Sequence, residues 1–115
     1  MALRFRLVLM LPVIGLLSGA PPAHADETGL TEAFLNDPAN IELGQQLFRQ
    51  QCAKCHGKGA YPGKAPKLKV KKLSPEDIYL RVTYGYGRMP AWEDVFTDHE
   101  RMAITAYLKS RGFSN

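Results

Sequence analysis

Residues 52–56 read Cys52-Ala53-Lys54-Cys55-His56. This C-x-x-C-H stretch decides the reading of the chain, because each use of it makes a demand on the surrounding sequence. A redox dithiol of the thioredoxin kind needs a strand before the motif and a sheet around it. No segment here alternates apolar and polar residues for long enough to suggest one. A zinc site needs four ligands, and beyond residue 25 the chain offers two histidines, His56 and His99, and no further cysteine. A disulfide across two intervening residues is strained and leaves His56 without a role. The reading that uses all three side chains is covalent haem attachment. Two thiols at this spacing add to the two vinyl groups on one porphyrin edge, and the adjacent imidazole binds the iron from one side.

Working outward from the motif, helical signals surround it. A first helix starts at about Pro38 or Ile41 and reaches Cys52, with Asp37 or Asn40 to cap it and Pro38 suited to a first helical position. Ile41, Gly44, Leu47, Phe48 and Gln51 share one face. Gly44 in the middle of that face costs about 1 kcal/mol relative to Ala, which points to close approach of another backbone. Gly57 to Leu73, with Gly59, Pro62, Gly63 and Pro66, reads as an irregular loop. Ser74, Pro75 and Asp77 open a second helix that stops near Tyr84 before Gly85, with Ile78 and Val82 inward. Thr97 to Glu100 forms a capping box for a last helix, with Gly112 as its stop. Ile104, Tyr107, Leu108 and Arg111 share its face, with Ala103 at the border. The expected fold is all-α, with long loops.

The chain has 115 residues, 15 Lys+Arg against 11 Asp+Glu, and 45% hydrophobic content. This suits one globular domain. Arg4 and Arg6, the apolar run Leu7 to Leu17 and Ala23-His24-Ala25 have the three-part form of a secretory leader cleaved after Ala25. The run is too short for a spanning helix, which needs about twenty residues. Stable membrane insertion after cleavage is therefore not expected. Residues 1–25 form the leader, 26–40 a loose polar arm and 41–115 the haem domain. Without the leader, 13 bases face 11 acids, a formal charge of +2. A bacterial chain processed in this way works in the periplasm. A domain of this size with so much loop needs a staple, metal or cofactor.

The candidates for a second iron ligand are Met89, Met102 and His99. With Ile104 at the centre of the buried face of the last helix, Met102 and His99 both point about 140–160° away, toward solvent. Met89 lies in a loop between Gly87 and Pro90. Core filling is the competing use of a lone methionine.

Four pieces in this order, GQQLFRQQCAKCHG, KAPKL, YGRMPAW and ITAYLKS, resemble the class I cytochromes c. The resemblance covers about Ile41 to Ser110. It implies a small fold whose N- and C-terminal helices pack against each other around one covalently bound haem, with iron held by His56 and Met89. It also implies that the Pro66 carbonyl receives the His56 N–H, that Leu68 and Trp92 contact the haem, and that Gly44 and Phe48 meet Ile104 and Tyr107. For Tyr61, Tyr84 and Tyr86, ordinary packing is the expected use.

Lys54, Lys58, Lys64, Lys67, Lys69, Lys71 and Lys72 occur with no acid between Gly44 and Pro75. A basic rim beside the motif suits a redox partner with an acidic docking face. Lys109, on the last helix, is expected to lie far from this rim. Nucleic acid is a poor partner for an exported haem protein. The expected function is that of a soluble electron carrier between a dehydrogenase or membrane complex and an oxidase or reductase, without enzyme activity. The rivals are a haem protein with an open sixth site, for gas sensing or peroxidase-like chemistry, and a permanent subunit of a larger oxidoreductase.

Overall fold

The computed structural model describes residues 19, 28–58 and 63–113. Apart from Gly19 the leader, together with its cleavage point, Gly59, Tyr61 and Pro62, lies outside the described residues. The helices are α1 (Glu32–Leu35), α2 (Pro38–Leu47), α3 (Ala53–His56), α4 (Pro75–Tyr84) and α5 (Asp98–Lys109). A π-helical turn, Phe48–Cys52, joins α2 to α3, and a 3₁₀ turn, Val70–Lys72, interrupts the long loop. Among the described residues there is no strand, only one isolated bridge between Tyr86 and Met89. The fold is therefore all-α.

Local chemistry accounts for the helix starts. The Asp37 carboxylate accepts from the Ala39 N–H at 2.8 Å, and Pro38 follows it in the first turn. Ser74 and Asp77 exchange side-chain and backbone bonds across the start of α4. Thr97 and Glu100 do the same for α5. Each box satisfies N–H groups that a helix start leaves unpaired. At the other end, α4 stops at Gly85, whose φ is +80°. Gly112 is not the stop of α5. That helix ends at Lys109, and Ser110, at φ −71° and ψ 158°, turns the chain out. The Ser110 hydroxyl donates to the Tyr107 carbonyl, so a local side-chain bond replaces the glycine.

α2 and α5 cross at Gly44. A Cβ built there would sit 1.9 Å from the Ala103 carbonyl oxygen and 2.8 Å from the Tyr107 Cβ. Below the crossing, Phe48 meets Tyr107 and Phe113 edge to face, with ring centroids 5.6 and 5.4 Å apart. Val70, Ile78, Val82, Phe96, Ile104 and Leu108 complete this main core.

The other side of α5 overturns two expectations. Met102 is not solvent-facing but 8% exposed, and the described part of the arm is not loose. Leu30 and Leu35 pack with Met102 and Ala106 in a second core, flanked by Phe34, Ile41 and Tyr79. The angle assigned to Met102 on the helix is sound, but α1 covers the face assumed to meet water. Every residue from Met102 to Leu108 is buried as a result. Arg111 lies beyond the helix end and is exposed, so it does not share the buried face.

These two contacts set stabilities that denaturant unfolding reads. Gly44→Ala should cost about 3 kcal/mol, because the added methyl meets backbone that cannot yield. Met102→Ala should cost about 2 kcal/mol through the cavity it leaves under α1. A surface Met102 would lose almost nothing.

Candidate haem-binding site

The π-helical turn positions the motif. The Ala53 N–H donates to the Phe48 carbonyl five residues back, which widens the helix by one residue at this point. Phe48 and Cys52 stay on the core side, while Cys55 emerges on the surface. Burial pushes the Cys52 thiol up to about 11. Neither cysteine is in a disulfide.

Gly57, at φ +77°, ends α3 and turns the chain away. The chain then folds back over the motif. The Ala65 N–H donates to the Cys55 carbonyl at 2.8 Å. A Cβ on Gly63 would sit 2.1 Å from that carbonyl oxygen, so only glycine permits the return at this closeness. His56 is half-buried, and burial lowers its pKa, favouring the neutral imidazole that a metal needs. Its Nδ1 is buried without a hydrogen-bond partner. The bond to the Pro66 carbonyl that the resemblance implies is thus not formed among the described residues, and Pro66 is exposed.

Met89 is presented by a tight turn. The Tyr86 N–H donates to the Met89 carbonyl at 3.1 Å and the Met89 N–H to the Tyr86 carbonyl at 2.9 Å. Gly87, at φ +59°, makes the reversal. A Cβ on Gly85 would meet the Met89 carbonyl oxygen at 2.6 Å. After Pro90 the chain is anchored twice. The Trp92 N–H donates to the carbonyls of Val82 and Thr83, and its ring stacks on Phe96 at 5.3 Å. The Arg101 guanidinium then donates to the carbonyls of Glu93 and Phe96 and to the Asp98 carboxylate.

Leu68, Met89 and Trp92 pack, partly buried, against the main core that contains Cys52. His56 and Cys55 stand beside it on α3. The other iron-ligand candidates are elsewhere: Met102 fills the second core, and exposed His99 meets the Phe34 ring edge to face at 5.3 Å. Tyr84 and Tyr86 are 65% and 64% exposed, so ordinary packing is not their use. Arg101 was not legible as a support of the segment after Pro90, because nothing in sequence distinguishes a structural arginine from a solvated one.

The seven lysines from Lys54 to Lys72 are all exposed, and Lys67, Lys69, Lys71 and Lys72 ring a shallow depression with Leu68 at its base. Lys109 is not distant from them. Its Nζ donates to the carbonyls of Val70 and Leu73, at 3.2 and 2.8 Å, and ties the lysine loop to α5.

Two thiols outside any disulfide, a buried imidazole nitrogen without a partner and a glycine-lined return over the Cys55 carbonyl fit a haem joined through C-x-x-C-H. Comparison with known proteins agrees. Residues 39–108 match the family model described as cytochrome c oxidase, cbb3-type, subunit III. Cytochrome c6 of Bryopsis maxima is 35% identical over 78 residues, which cover 60% of this chain and 89% of that protein. The quinohemoprotein alcohol dehydrogenase ADH-IIG of Pseudomonas putida is 37% identical over 97 residues, 78% of this chain and 13% of its own length. The cbb3-type cytochrome c oxidase subunit FixPc of Rhizobium leguminosarum bv. viciae is 34% identical over 85 residues, 67% of this chain and 30% of that protein. The chain therefore belongs to the cbb3-type subunit III cytochrome family, class I c-type cytochromes that carry one covalently bound haem with its iron.

Proposed function

We propose that this protein is a periplasmic single-electron carrier, exported by residues 1–25 and holding its haem through Cys52 and Cys55, with His56 and Met89 as the iron ligands. The observation that carries the reading is the C-x-x-C-H motif, which runs from the last residue of the π-helical turn through α3, with a half-buried His56 whose pKa burial lowers. The bound haem supplies a one-electron ferric–ferrous couple. The chain supplies everything else. Cys52 and Cys55 prevent loss of the cofactor from a domain too small to enclose it. Burial favours the neutral form of His56, the form that coordinates iron. The Met89 turn, pinned to α4, offers a thioether, which favours the ferrous state and raises the potential. Were His56 and Met89 both to hold the iron, no place would be left open for a substrate, so no enzyme activity is assigned.

A second reading is favoured by the relatives in which the matching segment is a small share of a longer chain, 13% of the dehydrogenase and 30% of FixPc. In that reading the protein works as a haem-carrying part of a larger oxidoreductase. Size-exclusion of the native extract separates the two: a free carrier elutes alone, a subunit with its complex.

The haem assignment is tested by intact mass. Periplasmic protein should weigh as residues 26–115 plus one haem, and acid–acetone should extract no free haem. Extraction of haem, or retention of residues 1–25, overturns it. Ligation is tested by substitution. Met89→Ala should abolish the weak far-red ferric band of thioether ligation and lower the potential. Met102→Ala should leave both in place despite its cost to stability. Loss of that band in Met102→Ala alone would reverse the assignment.

The lysine rim is proposed to steer an acidic redox partner. The bimolecular electron-transfer rate should then fall with salt, since the Debye length drops from about 30 Å at 0.01 M to about 10 Å at 0.1 M. Lys64→Glu with Lys67→Glu should reproduce the effect at low salt. Glu32→Lys, on α1 behind α5, should leave the rate unchanged. Lys109 does not serve as a control, because it supports the loop that carries the rim. A rate that is constant or rises with salt leaves the lysines as a solvated face.

A further inference from the structure

Tyr86 presents a puzzle. Its ring is 64% exposed, so the core does not hold it. Yet its backbone makes both hydrogen bonds that define the turn carrying Met89, at 3.1 and 2.9 Å. The tip of the turn has little packing of its own: a Cβ on Gly87 would meet nothing within 4 Å, and Arg88 is exposed. What touches the Tyr86 ring is a cation. The Arg81 guanidinium carbon lies 4.2 Å from the ring centroid, well inside the about 6 Å range of a cation–π contact. Arg81 also reaches the turn by its backbone, since its carbonyl accepts the Gly85 N–H at 2.9 Å.

We propose that Arg81 is a positioning residue for Met89, acting through the ring of Tyr86. α4 is rigid here, because Ile78 and Val82 are buried in the main core. Arg81 sits next to Val82 and so projects from a fixed base. Its guanidinium covers one face of the ring, the ring fixes the direction of the Tyr86 backbone, and the paired bonds pass that direction to Met89. Without the contact, the turn keeps its hydrogen bonds but its exposed tip, Tyr86 to Arg88, is held less firmly. The Met89 thioether then spends more time away from its bound position, and an external ligand competes for the iron more easily.

The proposal rests on Met89 as an iron ligand, and the experiment separates the two ideas. Imidazole is titrated into the ferric holoprotein while the far-red thioether band is followed. Arg81→Gln and Tyr86→Leu should each raise the apparent imidazole affinity about two- to fivefold, the range expected for loss of a partly exposed cation–π contact. The double variant should do no more than the stronger single one, because both remove the same contact. Tyr86→Phe keeps the ring and should behave as the parent protein. Guanidinium unfolding midpoints should not move, which separates positioning from general loosening. An unchanged affinity in Arg81→Gln, or a double effect equal to the product of the singles, overturns the proposal. In parallel, Met89→Ala should bind imidazole far more tightly than any of these. If Met89→Ala binds it no better than the parent, the ligand assignment falls and the proposal with it. If Met89→Ala binds tightly while the Arg81 and Tyr86 variants match the parent, the clamp alone falls.

Discussion

The rest of the molecule depends on one place where two backbones touch. Gly44 has no side chain, and the Ala103 carbonyl occupies the space a methyl would need. This brings α2 and α5 within reach of each other's main chain and lets Phe48, one turn further on, meet Tyr107 and Phe113. Phe48 also begins the π-helical turn that leads into Cys52. The attitude of the C-x-x-C-H motif is thus set by a contact about two helical turns upstream of it. A domain with so little core cannot spread this task over many contacts, which explains why one glycine holds so much.

The turn that carries Met89, the proposed second ligand, is organised differently. No long helix carries Met89. Its turn is fixed by main-chain bonds to Tyr86, by the close approach of Gly85 and by Trp92 bonding back to the end of α4. Arg101 then fastens the following segment to the start of α5. The two halves therefore obey different physics: helix packing on the side of the thiols and imidazole, and a hydrogen-bonded loop on the side of the thioether. Both converge on the same core, through Cys52 on one side and Met89 on the other.

The helices were legible wherever a signal is local. Asp37, Ser74 with Asp77, and Thr97 with Glu100 each satisfy nearby N–H groups, so sequence neighbours alone locate the starts of α2, α4 and α5. Gly44 was legible because a glycine on an apolar helix face has few other uses. Misreadings occurred where distant segments decide. Met102 looked exposed because its partners, Leu30 and Leu35, lie far upstream in a stretch too polar to suggest burial. Lys109 looked remote from the lysine loop because its partners are main-chain carbonyls, which have no signature in sequence. The π-helical turn was invisible for a related reason, since no residue type in FRQQC asks for it. The motif and the Met-Pro position are proposed as the site from residue types and from the resemblance. The support given by Arg101, and the unpartnered Nδ1 of His56, needed coordinates.

The wide turn also says where this chain can vary in length. Between Phe48 and Cys52 the backbone carries one residue more than a plain α-helical turn would use. Deleting one residue there would return the segment to a plain α-helical turn with Cys55 and His56 facing nearly the same way, whereas inserting one would turn them by about 100° relative to Gly44 and Phe48. The motif would survive letter for letter and point the wrong way. Insertions should therefore be excluded from the ten residues between Gly44 and Cys55. A length change costs least in connecting segments that no helical register constrains. Substitution and length change thus probe different things here: the first tests which atoms the motif presents, the second tests the direction in which it presents them.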